Sequence, residues 1–107
     1  MRKLVIATGL VFAAQLGAVV FAGESYRIAQ QNRQFDVKEI TILHGDTLLF
    51  TNEDPFLHQI FIKFDAVNFE SEEQTPGETI EVKFPVAGTF EVHCHIHPKM
   101  LLVVKAK

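Results

Sequence analysis

Cys94, His97 and Met100 place a thiol, an imidazole and a thioether at positions 0, +3 and +6 of one short segment, Cys94-His95-Ile96-His97-Pro98-Lys99-Met100. Pro98 keeps that segment from running on as a strand. Copper that cycles between Cu(I) and Cu(II) favours this mixture of donors. Two imidazoles and a thiolate in a plane, with a weak axial thioether, suit both oxidation states imperfectly and so limit reorganisation between them. The second imidazole must come from elsewhere, and His58 is the natural candidate. It follows a loop and opens a strand, with Phe56, Leu57 and Ile60 around it to exclude water. Taken alone, an inward cysteine is usually a small core hydrophobe, and Met100 could cap the core at a strand start. The spacing together with His58 favours ligation over both.

The segment has to be carried by strands. From Tyr26 onward the apolar pattern has period two. Tyr26, Ile28 and Gln30 alternate with their neighbours, as do Phe35 and Val37; Ile40 and Ile42 resume one residue out of phase, so a bulge or break is expected near Lys38–Glu39. His44-Gly45-Asp46 reads as a turn, Leu48 to Thr51 as a strand, and Asn52 to Pro55 as a loop in which Asn52 bonds nearby backbone. His58, Ile60, Ile62 and Phe64 share one face of the next strand. Residues 65–77 are polar and read as a longer connection with room for a helical turn. Ile80, Val82 and Phe84 form a strand ended by Pro85, and Ala87-Gly88 turns into Thr89–Cys94, where Phe90, Val92 and Cys94 face inward. Leu101 to Lys105 closes the chain. Six to eight short strands at such spacings predict an all-β sandwich. Phe35, Phe50, Phe61, Phe64, Phe84 and Phe90 are assigned to its core.

The 107 residues suffice for one domain. One cysteine excludes an intramolecular disulfide framework and any CxxC zinc or redox motif. Met1-Arg2-Lys3, an apolar run from Leu4 to about Ala22, and Val20-Phe21-Ala22 before Gly23 match a secretory signal. The predicted organisation is a signal peptide over 1–22 and a copper-binding domain over 23–107. The run is also just long enough to be an uncleaved anchor. Without Arg2 and Lys3, eight of the 10 basic residues face 13 acidic ones, a formal charge of about −5. That balance, with no basic cluster, argues against nucleic acid as a partner. Six acids fall between Asp65 and Glu81, either a solvated loop face or a patch that steers a basic partner.

The sequence resembles the cupredoxins, type 1 blue copper proteins, and within them the amicyanin and pseudoazurin-like group. The resemblance runs from about Phe35 to the C-terminus, carried by Gly45-Asp46-Thr47 through Phe50 and Asn52, by Asp54-Pro55 and His58, and by Ala87-Gly88-Thr89-Phe90-Glu91-Val92-His93-Cys94 through His97-Pro98 and Met100. It implies a Greek-key β-sandwich with copper held by His58, Cys94, His97 and Met100, working in electron transfer. Three positions depart from the family pattern. Gln59 stands where an Asn usually ties the first His strand to the Cys loop. Ile96 replaces a Pro and keeps an N–H that could donate to the Cys94 sulfur, which would favour Cu(I) and raise the reduction potential. His95 replaces a small polar residue.

His93, His95 and His97 alternate, and were the strand to continue, three imidazoles could bind Zn²⁺ or Cu²⁺ without Cys94. His93 is expected on the solvent face. His95 is expected at the surface or supporting the site, with a secondary metal site as the sharper reading, and His44 is a turn residue. The His-Cys-His order also resembles the multicopper oxidases, but their trinuclear centre needs further His pairs and only His44 and His58 remain. The expected function is therefore a periplasmic one-electron carrier, a monomer and not an enzyme. Its electron port is His97 with Phe56, Leu57, Pro98 and Lys99. The resemblance implies larger redox proteins as its partners, an amine dehydrogenase or a cytochrome c, with no membrane contact unless the N-terminal segment is retained. The rival readings are a periplasmic copper-binding or delivery module using the extra histidines, and a metal-free structural sandwich.

Overall fold

The computed structural model describes residues 23–64 and 67–107, and the side chains of all of these except Lys63, Phe64 and Val67. The expected signal segment and the core role given to Phe64 lie outside that description. Among the described residues the chain forms nine strands: β1 (Ser25–Gln31), β2 (Gln34–Phe35), β3 (Glu39–Ile42), β4 (Thr47–Asn52), β5 (Ile60–Phe64), β6 (Val67–Glu70), β7 (Thr79–Lys83), β8 (Gly88–Cys94) and β9 (Leu101–Ala106). They make two sheets, ordered β2-β1-β4-β7 and β3-β9-β8-β5-β6. β1 pairs with β4, and β3 with β9, in parallel; the remaining pairs are antiparallel. The all-β sandwich is as expected, with more strands than the predicted six to eight. The expected break near Lys38 is where the chain leaves the first sheet for the second.

β6 corrects the reading of 65–77 as connection. It pairs along β5 from Phe61↔Glu70 to Phe64↔Val67, an edge position whose four residues, Val67-Asn68-Phe69-Glu70, alternate over too short a run to stand out from the polar residues that follow. The core between the sheets is filled by Ile28, Phe35, Leu48, Phe50, Ile60, Ile62, Phe84, Phe90, Val92, Leu102 and Val104, each at most 7% exposed. Phe61 is a further correction. With Ile60 and Ile62 inward, the period of two turns Phe61 outward, where its ring lies 4.2 Å from that of His95. Gln30, expected to alternate with polar neighbours, is fully buried together with Ile28.

Two crossings build one end of the sandwich. The segment 53–59 carries the chain from β4 in the first sheet to β5 in the second, and the loop 95–100 joins β8 to β9. Register brings them together, since Ile60 pairs with Cys94. The β1–β2 hairpin turns through Asn32 and Arg33, both at positive φ (57° and 58°), the two-residue geometry whose twist matches the flanking strands. An arginine there is conformationally costly, so something outside the turn has to hold it.

Candidate metal centre

Strand alternation delivers Cys94 to the core side of β8, 2% exposed, beside fully buried Phe90 and Val92. His58 is fully buried. Its backbone is bracketed by Gln74: the His58 N–H donates to the Gln74 carbonyl (3.1 Å) and the Gln74 N–H to the His58 carbonyl (2.7 Å). His58 Nδ1 lies 3.6 Å from Cys94 Sγ. Two atoms bound to one first-row metal ion at about 2.0 and 2.3 Å can stand no more than roughly 4.3 Å apart, so this pair can share an ion. The His97 ring is 5.0 Å from that of His58, centroid to centroid. Met100, 2% exposed, is in the same core cluster as Cys94, and its N–H closes the loop onto the His97 carbonyl (3.0 Å).

The four predicted donors thus gather at one end of the sandwich. They do not form a closed shell: among the described residues no three His, Cys, Asp or Glu side chains converge as a metal cluster. His97 is the donor that keeps a ring nitrogen unpartnered. It is half-buried rather than presented at the surface, and its Nε2 is shut from solvent with no hydrogen-bond partner among the described residues. An orphaned buried ring nitrogen destabilises a fold by about 1–3 kcal/mol, and a metal ion would use its lone pair. The soft sulfurs, the imidazoles and this unpaired nitrogen fit copper.

The residue that fixes His58 is one the sequence reading left in a loop. Buried Asp54 (5% exposed) accepts from His58 Nε2 through Oδ2 (2.8 Å). The same carboxylate accepts the Asn32 N–H on Oδ1 (2.6 Å) and the Arg33 N–H on Oδ2 (3.0 Å). It therefore holds the strained turn and the imidazole at once. An ionised carboxylate can only accept, so the His58 proton sits on Nε2 and the Nδ1 lone pair faces Cys94. Asn52 secures the loop as expected: its Nδ2 donates to the Phe56 and Gln74 carbonyls (2.9 and 3.0 Å) and its Oδ1 accepts the Asp54 N–H (2.9 Å).

Two expected contacts, a Gln59 side-chain tie to the Cys loop and an Ile96 N–H to the sulfur, are corrected. The Gln59 side chain does not reach the Cys loop but donates to the Ser71 carbonyl (2.9 Å). The tie is made by backbone, with the Gln59 N–H donating to Cys94 Sγ (3.3 Å) and the His95 N–H to the Gln59 carbonyl (3.0 Å). Gln59, not Ile96, supplies the N–H to sulfur, because β5–β8 pairing places its amide over the cysteine. His95 and His93 face the other side of β8. His95 Nε2 meets Glu70 Oε2 at 2.9 Å and His93 Nε2 meets Glu91 Oε1 at 3.1 Å. His44 Nδ1 bonds the Lys107 carbonyl (2.8 Å).

Burial holds the His58 pKa below its ordinary 6.5, with the Asp54 carboxylate only partly opposing it. Burial of Asp54 would raise its own pKa, but the Arg33 N–H, His58 and the Asn32 N–H together hold it below 3.8. Both shifts act in one direction. The unfolded chain takes up a proton on His58 below pH 6.5 while the folded one resists it, so that stability is full above 6.5 and drains as pH falls. Asp54 adds a second loss below 3.8, completed as pH passes its folded value. Urea midpoints of the metal-free protein should therefore fall steadily from pH 7 to pH 3; a flat profile would contradict the assignment.

A profile described as copper binding proteins, plastocyanin/azurin family, matches residues 22–107. The chloroplastic plastocyanin of Chlamydomonas reinhardtii is 32% identical over 73 residues, 60% of this chain and 50% of that protein. The chain spans about half the length of the chloroplastic plastocyanins it matches. Among solved structures, amicyanin from Paracoccus versutus superposes with a TM-score of 0.71 at 24% identity, over 84% of this chain and 87% of that one. A copper-containing nitrite reductase from Thermus scotoductus SA-01 gives a TM-score of 0.71 at 22% identity, over 78% of this chain and 22% of its own. At these identities the superpositions speak for the fold.

Proposed function

Because the chain belongs to the plastocyanin/azurin family of copper-binding proteins, we propose that it is a periplasmic carrier of single electrons between larger redox proteins, with His58, Cys94, His97 and Met100 as the ligands of one copper ion. The observation that carries this reading is His58 Nδ1 standing 3.6 Å from Cys94 Sγ, lone pair forward, with Asp54 behind it. Copper, when bound, supplies a one-electron couple between Cu(I) and Cu(II). The protein supplies rigidity. Asp54 and Gln74 fix the His58 ring and backbone, β5–β8 pairing fixes Cys94, and the Gln59 N–H draws charge from the sulfur. Phe56 stands edge-on to both imidazoles, 5.6 Å from His58 and 5.2 Å from His97, which keeps water off the donors. The half-buried edge at Phe56, Leu57 and His97 is the proposed electron port. Residues 1–22 would be the export signal.

Engagement of His93 by Glu91 and of His95 by Glu70 supports the carrier reading over copper capture by extra histidines. One equivalent of Cu(II) added to the metal-free protein should produce an intense visible thiolate-to-copper band and narrow copper hyperfine splitting. Both should vanish in Cys94→Ser and persist when His93 and His95 are both replaced by Ala. A pale adduct that survives Cys94→Ser would overturn the carrier in favour of histidine-only binding.

A further inference from the structure

The two flanks of the copper end carry opposite charge. On one side an open groove is walled by Leu57 and Gln59 together with Glu70, Glu72 and Glu73. On the other, a cleft of about 560 Å³ runs between the β1–β2 turn and the 95–100 loop, lined by Arg33, Gln34, Ile96, His97, Pro98 and Lys99 among others. That cleft holds two cations and no acid, in a chain whose formal net charge is −3. Arg27 and Lys105 pair with Glu53 and Glu39, whereas among the described residues neither Arg33 nor Lys99 has an ion-pair partner.

Arg33 is also placed rather than loose. Asp54 grips its backbone N–H (3.0 Å) in a left-handed conformation, and its guanidinium carbon stands 4.3 Å above the Phe56 ring. Among the described residues the guanidinium has no hydrogen-bond or ion-pair partner, so its N–H groups are available to a carboxylate, which they fit with two parallel hydrogen bonds. Phe56 is in turn edge-on to His97 at 5.2 Å. An acid bound there would sit one aromatic ring from the proposed copper ligand. We propose that this cleft receives a carboxylate side chain, set in apolar surface, of the redox partner. The acidic groove then fixes the partner's orientation by demanding basic residues on the opposite side. The proposal rests on the carrier reading and names the chemistry of its partner.

The test uses the copper(I)-loaded protein and two synthetic probes, a short peptide alternating glutamate with leucine and its lysine-for-glutamate counterpart. In amide NMR titrations at low salt, the glutamate peptide should shift Asn32 to Gln34 and Ile96 to Lys99 saturably, and the lysine peptide should not. Arg33→Glu with Lys99→Glu should weaken the glutamate peptide by about tenfold or more, an effect that shrinks with added salt. Lys99→Glu alone, on an exposed loop side chain, should weaken it part way, and both variants should keep the visible band when oxidised to the Cu(II) form. Undiminished binding to the charge-reversed protein would overturn the proposal. So would equal shifts from acetate at matched carboxylate concentration, which would mark a free-anion site. The same shifts appearing with protein concentration alone would mean that the cleft meets the acidic groove of a second copy, and would overturn it too. Failure of the carrier reading shows separately, as loss of the wild-type band or of its reversible one-electron titration, whatever the peptides do.

Discussion

Asp54→Ala should destabilise the metal-free protein by about 3–5 kcal/mol, because three donors that now share one buried carboxylate lose it together. The three are His58 Nε2 and the backbone N–H groups of Asn32 and Arg33, at 2.8, 2.6 and 3.0 Å. The two amides belong to a turn whose residues both sit at positive φ, so the carboxylate also offsets backbone strain there. Removing it frees the His58 proton to move to Nδ1, which would point an N–H at Cys94 Sγ instead of a lone pair. Copper affinity should fall about 10- to 100-fold, the usual consequence of losing the partner that orients a metal-binding imidazole. The reduction potential should rise, since a negative charge behind His58 favours Cu(II). Asp54→Asn separates the causes. It keeps the volume and one acceptor, but its amide N–H₂ faces donors, so it should recover part of the stability and little of the potential. Equilibrium denaturation, voltammetry and the His58 tautomer by ¹⁵N NMR read the three effects; an unchanged tautomer would remove the orienting role.

The parts of this site that could be read from sequence are those in which chemistry and spacing are local. Cys94, His97 and Met100 occupy one loop, and the alternation of Phe90, Val92 and Cys94 fixes which face the sulfur takes. His58 was reachable because an imidazole that opens an apolar strand stands out. What escaped was made by distant contacts. Asp54 in an Asn-Glu-Asp-Pro run looks like any solvated loop acid, and only folding brings the Asn32 and Arg33 amides to it across 22 and 21 positions. Arg33 reads as a surface charge until the hairpin lays it over Phe56. The N–H to sulfur was assigned to the neighbour in sequence, Ile96, whereas strand pairing supplies the one from Gln59, 35 positions away. β6 is hidden because its alternation, Val67-Asn68-Phe69-Glu70, lasts only four residues before an acidic stretch.

Gln74 escaped for the same reason, and its truncation should have the other large effect. It lies in a polar stretch, yet it is fully buried. Its Oε1 accepts Gln30 Nε2 (2.7 Å), and its Nε2 donates to the Phe50 and Glu78 carbonyls (2.9 and 2.7 Å). Gln74→Ala removes three buried hydrogen bonds at once, leaving Gln30 Nε2 with only a 3.4 Å contact to the Thr51 carbonyl and the Glu78 carbonyl with only the Asn52 N–H (3.0 Å), which should lower stability by about 2–4 kcal/mol. Gln74→Leu restores volume but not the acceptor, so it should recover only the packing share. Gln30 carries the opposite end: its Oε1 already has no partner among the described residues, so Gln30→Leu removes an unsatisfied group along with the donor. The double Leu variant should then be less destabilised than the two single Leu changes added together, by about 1 kcal/mol, since removing both members of a buried pair is cheaper than stranding one. Additive losses in a denaturant double-mutant cycle would show that the two amides do not act as a unit. Copper release offers the functional reading. Because the Gln74 side chain anchors, through the Phe50 and Glu78 carbonyls, the backbone that bonds His58 in both directions, Gln74→Ala should speed loss of the ion to a chelator even where the visible band is unchanged, while Gln30→Leu, which leaves both carbonyl anchors in place, should not.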